Sequence, residues 1–229
     1  MIFSGWYLRS KCCGLPMKVA ILGGSFNPPH ICHLFVTHYV LATSDVDQLW
    51  FLPCYKHAFG KVLAPFHHRL AMCTLAVESF RENLVKVLPL EQERPGTSWT
   101  IDTVRYLKQS YPDVDFIWII GSDVLYELYK WKDFDQLQGL ISFLVVPRAG
   151  SFQGNSVQQA GPSVSHPGEK IGSLQRLQEQ RDALERQGIQ LPNVSSSLIR
   201  ERVKQKQPIH HLVPRTVEEY IYAHKLYHQ

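Results

Sequence analysis

The stretch KVAILGGSFNPPHICH, residues 18–33, joins an apolar run to two glycines, two prolines and two histidines. The apolar run is short and ends at the glycines, which is typical of a buried strand in a parallel sheet. Ligands of open α/β sheets bind beyond the carboxyl ends of the strands. We therefore predict a ligand-binding turn at Gly23 and Gly24, since glycine lets a ligand approach the backbone closely.

His30 and His33 are predicted to lie in the first turn of the helix that follows this turn. Their spacing allows both imidazoles to face the same side of the helix. Free backbone N–H groups and the positive end of the helix dipole attract phosphate there. Two imidazoles at this position can donate hydrogen bonds to phosphate oxygens. Two surface histidines after a Gly/Pro turn are the competing interpretation, and the common glycine-rich nucleotide fingerprints are absent.

Strand-like and helix-like segments alternate from Lys18 to Pro147. Further apolar runs predict strands at DQLWFLP, VKVLP, DVDFIWIIG and ISFLVVP. Helical spacing predicts helices between them, and Thr97 or Ser98 is the expected cap of the third helix. The alternation predicts an α/β fold with a doubly wound parallel sheet, followed by a C-terminal helical region.

The domain organisation follows from the same pattern. Residues 17–229 are expected to form a single domain, in which residues 151–190 form a variable loop and a polar helix. Residues 1–16 lack the continuous apolar core of a secretory signal, and Met17 directly precedes the first predicted strand. We expect residues 1–16 to be a leader outside the fold, either an overlong translation start or a loose extension.

Composition restricts the partners and the compartment. Apolar residues make up 45% of the 229 residues and charged residues 19%, which is enough for a packed core. A net charge of +4 without a dense basic run permits an anionic small molecule and argues against a nucleic-acid surface. No apolar run is long enough to span a membrane. Five scattered cysteines without a C-x-x-C motif indicate a reducing, cytoplasmic location.

GGSFNPPHICH resembles the G-x-F-[DN]-P-x-H-x-G-H signature of the nucleotidylyltransferases, and VSSSLIR, residues 194–200, resembles the second half of that signature. TSWTIDTVRYL, IIGSDVLYELYKWKDFDQL, VVPRAG and LVPRTVEEYIYAHKLY look like nicotinate-nucleotide adenylyltransferases and their nicotinamide-preferring relatives. The resemblance runs from Met17 almost to the C-terminus and is weak over the variable region. It implies a Rossmann-like enzyme of NAD biosynthesis that transfers AMP from ATP to nicotinate mononucleotide, giving deamido-NAD and pyrophosphate.

The resemblance also implies roles for individual residues. His30, His33 and Arg200 are the expected catalytic residues, because in-line attack on the α-phosphorus needs alignment and charge neutralisation rather than a protein nucleophile. The expected ATP and nucleotide contacts are Gly23, Gly24, Ser25, Phe26, Lys61, Gly121, Asp123, Arg148, Ser196 and Ser197. The expected pyridine-nucleotide contacts are Thr100, Thr103 and Trp131. Mg²⁺ on the leaving phosphates of ATP is the expected cofactor.

Some of these residues have structural interpretations that the sequence leaves open. Asp123 suits a helix N-cap, Trp131 suits a core aromatic position, and Arg200 suits an exposed helix surface. Thr100 and Thr103 also need no explanation beyond a helix start. Lys56 competes with Lys61 as the loop lysine that contacts phosphate.

Two residues depart from the signature. Asn27 replaces the commoner Asp, and Cys32 replaces the usual Gly between the histidines, which places a side chain where the backbone normally runs bare. His30, Cys32 and His33 do not have the spacing of a zinc ligand set, so no metal site is predicted in the protein.

Three functional alternatives stay open at this stage. Nicotinamide mononucleotide is an alternative acceptor, and phosphopantetheine or a sugar or alcohol phosphate would define a different nucleotidylyltransferase. A nucleotide-binding module without catalysis is the third alternative. Homo-oligomer formation is also left open. Residues 151–190 are the expected place for an interface or a lid, although their polar composition equally fits a solvated loop and helix.

Overall fold

The structure is a computed structural model that describes residues 16–94, 96–146, 171–186, 192 and 194–228. The expectations for the leader, Pro16 apart, for Arg148 and for most of the variable region lie outside these residues.

Strands and helices alternate in the described part of the chain as the sequence predicts. The strands are β1 Met17–Gly24, β2 Gln48–Pro53, β3 Val85–Val87, β4 Val114–Gly121 and β5 Ser142–Val146. The helices are α1 Ile31–Thr43, α2 Phe66–Val77, α3 Thr100–Ser110, α4 Phe134–Leu140, α5 Ile171–Arg186, α6 Ser196–Lys204 and α7 Arg215–Ala223. A 3₁₀ helix, Leu125–Lys130, precedes α4. Among the described helices, none has the length and apolar composition needed to cross a membrane.

The five strands form one sheet in which every pair is parallel, in the order β3-β2-β1-β4-β5. The predicted doubly wound parallel sheet is therefore confirmed. The chain moves outward from β1 to β2 and β3, and then returns to place β4 on the other side of β1. A crevice opens at the carboxyl ends of β1 and β4, because the connections leave these neighbouring strands in opposite directions.

Helices cover both faces of this sheet. Successive side chains of a strand point to opposite faces. Val19 and Ile21 of β1 pack in a cluster with residues of α3, α4 and α5. Ala20 and Leu22 pack in a second cluster with residues of α1 and α2. A strand covered on both faces is apolar throughout, which explains the uninterrupted apolar run that opens the fold.

The predicted C-terminal helical region packs on α2 rather than on the sheet. Met72 of α2 is fully buried in a third cluster with Ile199 and Val203 of α6 and with Val217 and Ile221 of α7. This packing carries the residues before and within α6 to the side of the sheet where the loop after β1 lies.

The predicted cap of α3 is wrong. Trp99 occupies the N-cap position of this helix, and no side chain caps it. The Ser98 hydroxyl instead accepts hydrogen bonds from the backbone N–H groups of Tyr55 and Lys56, at 3.1 Å and 3.2 Å. The Ser98 hydroxyl therefore binds the backbone of the loop after β2 instead of capping the first turn of α3.

Gly23 lies against the indole of Trp118, and we expect Gly23→Ala to destabilise the protein. A Cβ at this position would lie 2.6 Å from Cζ2 of Trp118, and Trp118 is buried and cannot move without disturbing its neighbours. The expected loss is about 1–3 kcal/mol of unfolding free energy, measured by urea denaturation. Gly139→Ala is the control, since a Cβ there has nothing within 4 Å and lies in a helix. Equal stability of the two variants would contradict the close contact.

Candidate active site

Two neighbouring cavities lie at the carboxyl ends of the central strands and share Gly23, Trp118 and Trp131. The Thr100 cavity has a volume of about 190 Å³ and is also lined by Gly24, Ser25 and Thr100. The His33 cavity has a volume of about 180 Å³ and is also lined by His33 and Gly121. The crevice therefore brings together seven of the predicted site residues: Gly23, Gly24, Ser25, His33, Thr100, Gly121 and Trp131.

His30 and His33 stack beside each other at the start of α1. Their ring centroids are 3.8 Å apart, and His30 is almost completely buried whereas His33 is partly exposed. The backbone N–H of His30 donates to Nδ1 of His33 at 3.1 Å. Because Nδ1 accepts this bond, the hydrogen of a neutral His33 imidazole is on Nε2. His33 can thus donate a hydrogen bond to an anionic ligand.

The second half of the signature lies directly on the first. Arg200 donates from Nη1 to the Asn27 carbonyl at 2.9 Å and from Nη2 to the Ser197 hydroxyl at 3.2 Å. The Ser196 hydroxyl donates to the Pro28 carbonyl at 2.8 Å. The N-terminus of α6 is therefore held against the loop after β1, and helix N-termini attract phosphate.

Asn27 organises this junction through its side chain as well as its carbonyl. The Asn27 side-chain oxygen Oδ1 accepts from the Ala64 backbone N–H and from the Tyr227 hydroxyl, both at 3.0 Å. Burial raises the pKa of Tyr227, which keeps its phenol protonated as a donor. Both bonds need only an acceptor oxygen, so the exchange of Asp for Asn at this position preserves them.

Cys32, the other departure from the signature, also joins the two halves. Its thiol donates a hydrogen bond to the Pro192 carbonyl at 2.9 Å. Pro192 lies three residues before Ser195, whose hydroxyl caps α6 by accepting from the backbone N–H of Leu198. Cys32 also lines the His33 cavity. The added side chain thus contacts the segment that leads into α6 and leaves α1 a regular helix.

Thr103 does not reach the crevice, which corrects its predicted role as a ligand contact. The residue is completely buried. Its hydroxyl donates to Oε1 of Glu91 at 2.9 Å and accepts from Nη2 of Arg94 at 2.7 Å. A polar group on the inner side of α3 must find a partner within the protein, and Thr103 therefore orients Glu91 instead of contacting a ligand.

The remaining predicted site residues differ in whether their side chains line a cavity. Trp131 lines both cavities and packs edge-on against Phe134, so it is both a cavity wall and a core contact. The ring of Phe26 is buried against His33, which leaves only its backbone for a ligand. Lys61 and Asp123 are exposed and line neither cavity. Their contacts with a nucleotide stay predictions.

Arg69 is a buried residue of the site that the sequence analysis missed. Its guanidinium donates to the carbonyls of Ala64, Ser25 and Tyr55 at 2.9 Å, 2.9 Å and 3.3 Å. It therefore joins the loop after β1 to both ends of the loop after β2. The sequence signal that could have identified it is its helical spacing, because Arg69 shares the apolar side of α2 with Met72 and a charged residue on that side is expected to be buried.

Glu91 and His57 are two further cavity residues that the sequence analysis missed. Glu91 is buried, and its Oε2 accepts from the Tyr55 backbone N–H at 3.2 Å. Partial burial, together with the positive charges of Lys61 and Arg69, lowers the pKa of His57 below its usual value. His57 is therefore uncharged at neutral pH. The described residues contain no group of three His, Cys, Asp or Glu side chains arranged to hold a metal ion.

Comparison with known proteins identifies the family to which these residues belong. A cytidylyltransferase-like family model matches residues 21–202. The chain is 35% identical over 215 residues to the nicotinate-nucleotide adenylyltransferase of Bacillus subtilis, covering 92% of this chain and 98% of the relative. A Myxococcus xanthus protein named as a probable nicotinate-nucleotide adenylyltransferase is 38% identical over 213 residues, covering 92% and 95%. The chain belongs to the nicotinate-nucleotide adenylyltransferase family.

Solved structures agree with the fold of this family. The nicotinic acid mononucleotide adenylyltransferase of Plasmodium falciparum, complexed with NaAD, aligns with a TM-score of 0.67 at 20% identity. The alignment covers 92% of this chain and 97% of that chain. At this identity the likeness concerns the fold, and it places this chain's sheet and helices in the same Rossmann-like arrangement.

The three carbonyl contacts of Arg69 predict a specific defect in Arg69→Met. The variant removes the buried donor of three carbonyls, so we expect a loss of about 2–4 kcal/mol of unfolding free energy. Hydrogen exchange in the folded state should accelerate across residues 54–65 more than in β1. Arg81→Met, at an exposed arginine beyond α2, is the control. Unchanged exchange across residues 54–65 would show that Arg69 does not hold this loop.

Proposed function

We propose that this protein transfers AMP from ATP to nicotinate mononucleotide, giving deamido-NAD and pyrophosphate. The observation that supports this most directly is the contact between Arg200 and Asn27, which joins the two signature halves beside His33. The Thr100 cavity opens next to this junction through Gly23 and Ser25. The names of the relatives support the same reaction.

The proposed reaction needs alignment of two anions and no protein nucleophile. A 5′-phosphate oxygen of the mononucleotide attacks the α-phosphorus of ATP and forms the new P–O bond. The bond from the α-phosphorus to the bridging oxygen breaks, and pyrophosphate leaves with that electron pair. His33 Nε2–H, the Arg200 guanidinium and the N-terminus of α6 are the groups we assign to the triphosphate, where they offset the charge that develops.

We propose that Mg²⁺ enters with the triphosphate as the Mg·ATP substrate. Mg²⁺ retains several waters and binds through substrate phosphates in many nucleotide sites. It would add charge stabilisation at the leaving pyrophosphate. The protein would then supply the orienting donors, His33 and Arg200, around the phosphates.

We propose a cytoplasmic site of action on the evidence of the cysteines. Cys54 and Cys73 are free thiols, and Cys73 is buried. Burial raises the pKa of Cys54 and Cys73, which keeps both thiols protonated and unreactive. Free thiols of this kind suit a reducing compartment.

The reaction is tested by pyrophosphate release with ATP and Mg²⁺, in parallel assays with nicotinate mononucleotide, nicotinamide mononucleotide and phosphopantetheine. We expect the highest kcat/KM with nicotinate mononucleotide. A higher kcat/KM with nicotinamide mononucleotide or phosphopantetheine would identify that compound as the acceptor instead. ATP binding without pyrophosphate release from any of the three would contradict the proposed reaction.

The role of His33 is tested in the same assay. His33→Ala should lower kcat by about 100-fold or more, because it removes a donor aimed at the phosphates. The circular dichroism spectrum should be unchanged. His38→Ala is the matched control, since His38 is an exposed histidine of the same helix. Equal turnover of the two variants would remove His33 from the mechanism.

A further inference from the structure

We propose that Tyr227 is a positioning residue for the triphosphate of ATP and that it acts through Asn27 and Arg200. The inference rests on the proposed function, because it concerns the orientation of Arg200 in the same site. Tyr227 follows α7, and its hydroxyl contacts the loop after β1 rather than either cavity. We assign it no contact with a substrate.

Asn27 connects Tyr227 to Arg200 through two different groups. Its side-chain Oδ1 accepts from the Tyr227 hydroxyl and from the Ala64 backbone N–H, both at 3.0 Å. Its backbone carbonyl accepts from Nη1 of Arg200 at 2.9 Å. Asn27 is 3% exposed, so its amide has little room to turn. A side chain held on two sides keeps the carbonyl of the same residue in place, and the Tyr227 hydroxyl therefore helps to set where the guanidinium of Arg200 points.

Arg200 retains donors for a triphosphate while it makes these contacts. A guanidinium carries five N–H donors, and the hydrogen bonds of Arg200 to described residues, Asn27 and Ser197, use two of them. The donors form a rigid fork, so the direction of the bond to Asn27 also fixes the direction of the other N–H groups. A displaced Asn27 carbonyl would turn those groups away from the phosphates, and small misplacements of a positioned group are costly to the reaction rate.

The backbone around Tyr227 brings its ring back to the loop after β1. Lys225 and Tyr227 have φ angles of 51° and 64°, in the left-handed region that is unfavourable for residues other than glycine. The N–H groups of Lys225 and Leu226 donate to carbonyls in the last turn of α7, at 3.2 Å and 3.0 Å. Leu226 and Tyr227 then pack on the cluster that joins α2, α6 and α7. Such backbone persists where the surrounding contacts determine it, and here these contacts place the phenol beside Asn27.

The surroundings of the Tyr227 hydroxyl suit a neutral donor. Burial raises the pKa of Tyr227, and this effect outweighs the positive charges of Arg200 and Arg69, which act in the opposite direction. The phenol therefore stays protonated over the pH range of an enzyme assay. Both guanidinium groups donate to carbonyls of the loop after β1, so the phenol lies where α2 and α6 meet that loop.

Tyr227→Phe tests the hydroxyl alone. Phenylalanine keeps the ring in its cluster, and Oδ1 of Asn27 keeps its bond from Ala64, so the variant is expected to fold. We expect kcat/KM for ATP to fall about three- to tenfold, the effect of one lost hydrogen bond. KM for nicotinate mononucleotide should change by less than about twofold, because the substitution leaves the Thr100 cavity intact.

Tyr220→Phe is the matched control. The Tyr220 hydroxyl forms a hydrogen bond with Nδ1 of His68 at 3.0 Å, and its ring packs on the same cluster as Tyr227. Both variants thus lose one hydroxyl between α2 and the C-terminal residues, but only Tyr227→Phe loses a bond to Asn27. We expect unchanged kinetic constants in Tyr220→Phe. Equal losses of kcat/KM for ATP in the two variants would indicate packing and overturn the inference.

Calorimetric titration of Mg·ATP into Tyr227→Phe, Arg200→Ala and the double variant separates positioning from a structural role. If Tyr227 acts through Arg200, Tyr227→Phe weakens ATP binding in the wild-type background and adds no further loss in Arg200→Ala. Unchanged ATP affinity in Tyr227→Phe, or the same loss in both backgrounds, would overturn the inference. A wild type that binds Mg·ATP but releases no pyrophosphate with any acceptor would reject the proposed function instead, and the titration would still decide the role of Tyr227.

Discussion

The partly buried hydrogen bonds of the loop after β1 are the constraint on which the rest of the site depends. Asn27 accepts from Arg200, which is 173 residues away in sequence, and from Tyr227, which is 200 residues away. Ser25 accepts from Arg69 on α2. Buried polar groups must find partners, and this loop finds them on α2, on α6, which carries the second half of the signature, and at Tyr227 near the C-terminus. Folding of the loop and assembly of the site are therefore coupled.

The sheet topology gives this loop its place. β1 is the central strand, and the connections diverge between β1 and β4, so the loop opens into a crevice with room on both sides of Gly23. A side chain at Gly23 would enter the indole of Trp118 on β4. The position of the site thus follows from strand order, whereas its chemistry follows from the side chains that converge on the loop. This division is common in α/β folds.

Local patterns in the sequence were sufficient for the strands, the helices and the parallel sheet, because each depends on periodicity within one segment. They were also sufficient to place Gly23 and His33 at the carboxyl end of β1, where open α/β sheets bind ligands, whereas the place of Trp131 beside them was implied only by the family resemblance. Local patterns failed for Ser98, and the resemblance failed for Thr103, because both hydroxyls bond to distant partners. Arg69 was missed for the same reason. Its partners are carbonyls of other loops, and a carbonyl acceptor carries no residue-type signal.

The central claim is that His33 and Arg200, from opposite ends of the chain, hold one triphosphate. Calorimetric titration of Mg·ATP into the wild type, His33→Ala, Arg200→Ala and the double variant tests it directly. Groups that act on one ligand give non-additive losses, so we expect a coupling energy of about 0.5–3 kcal/mol between the two substitutions. Strictly additive losses, or unchanged ATP affinity in either single variant, would contradict a shared phosphate site.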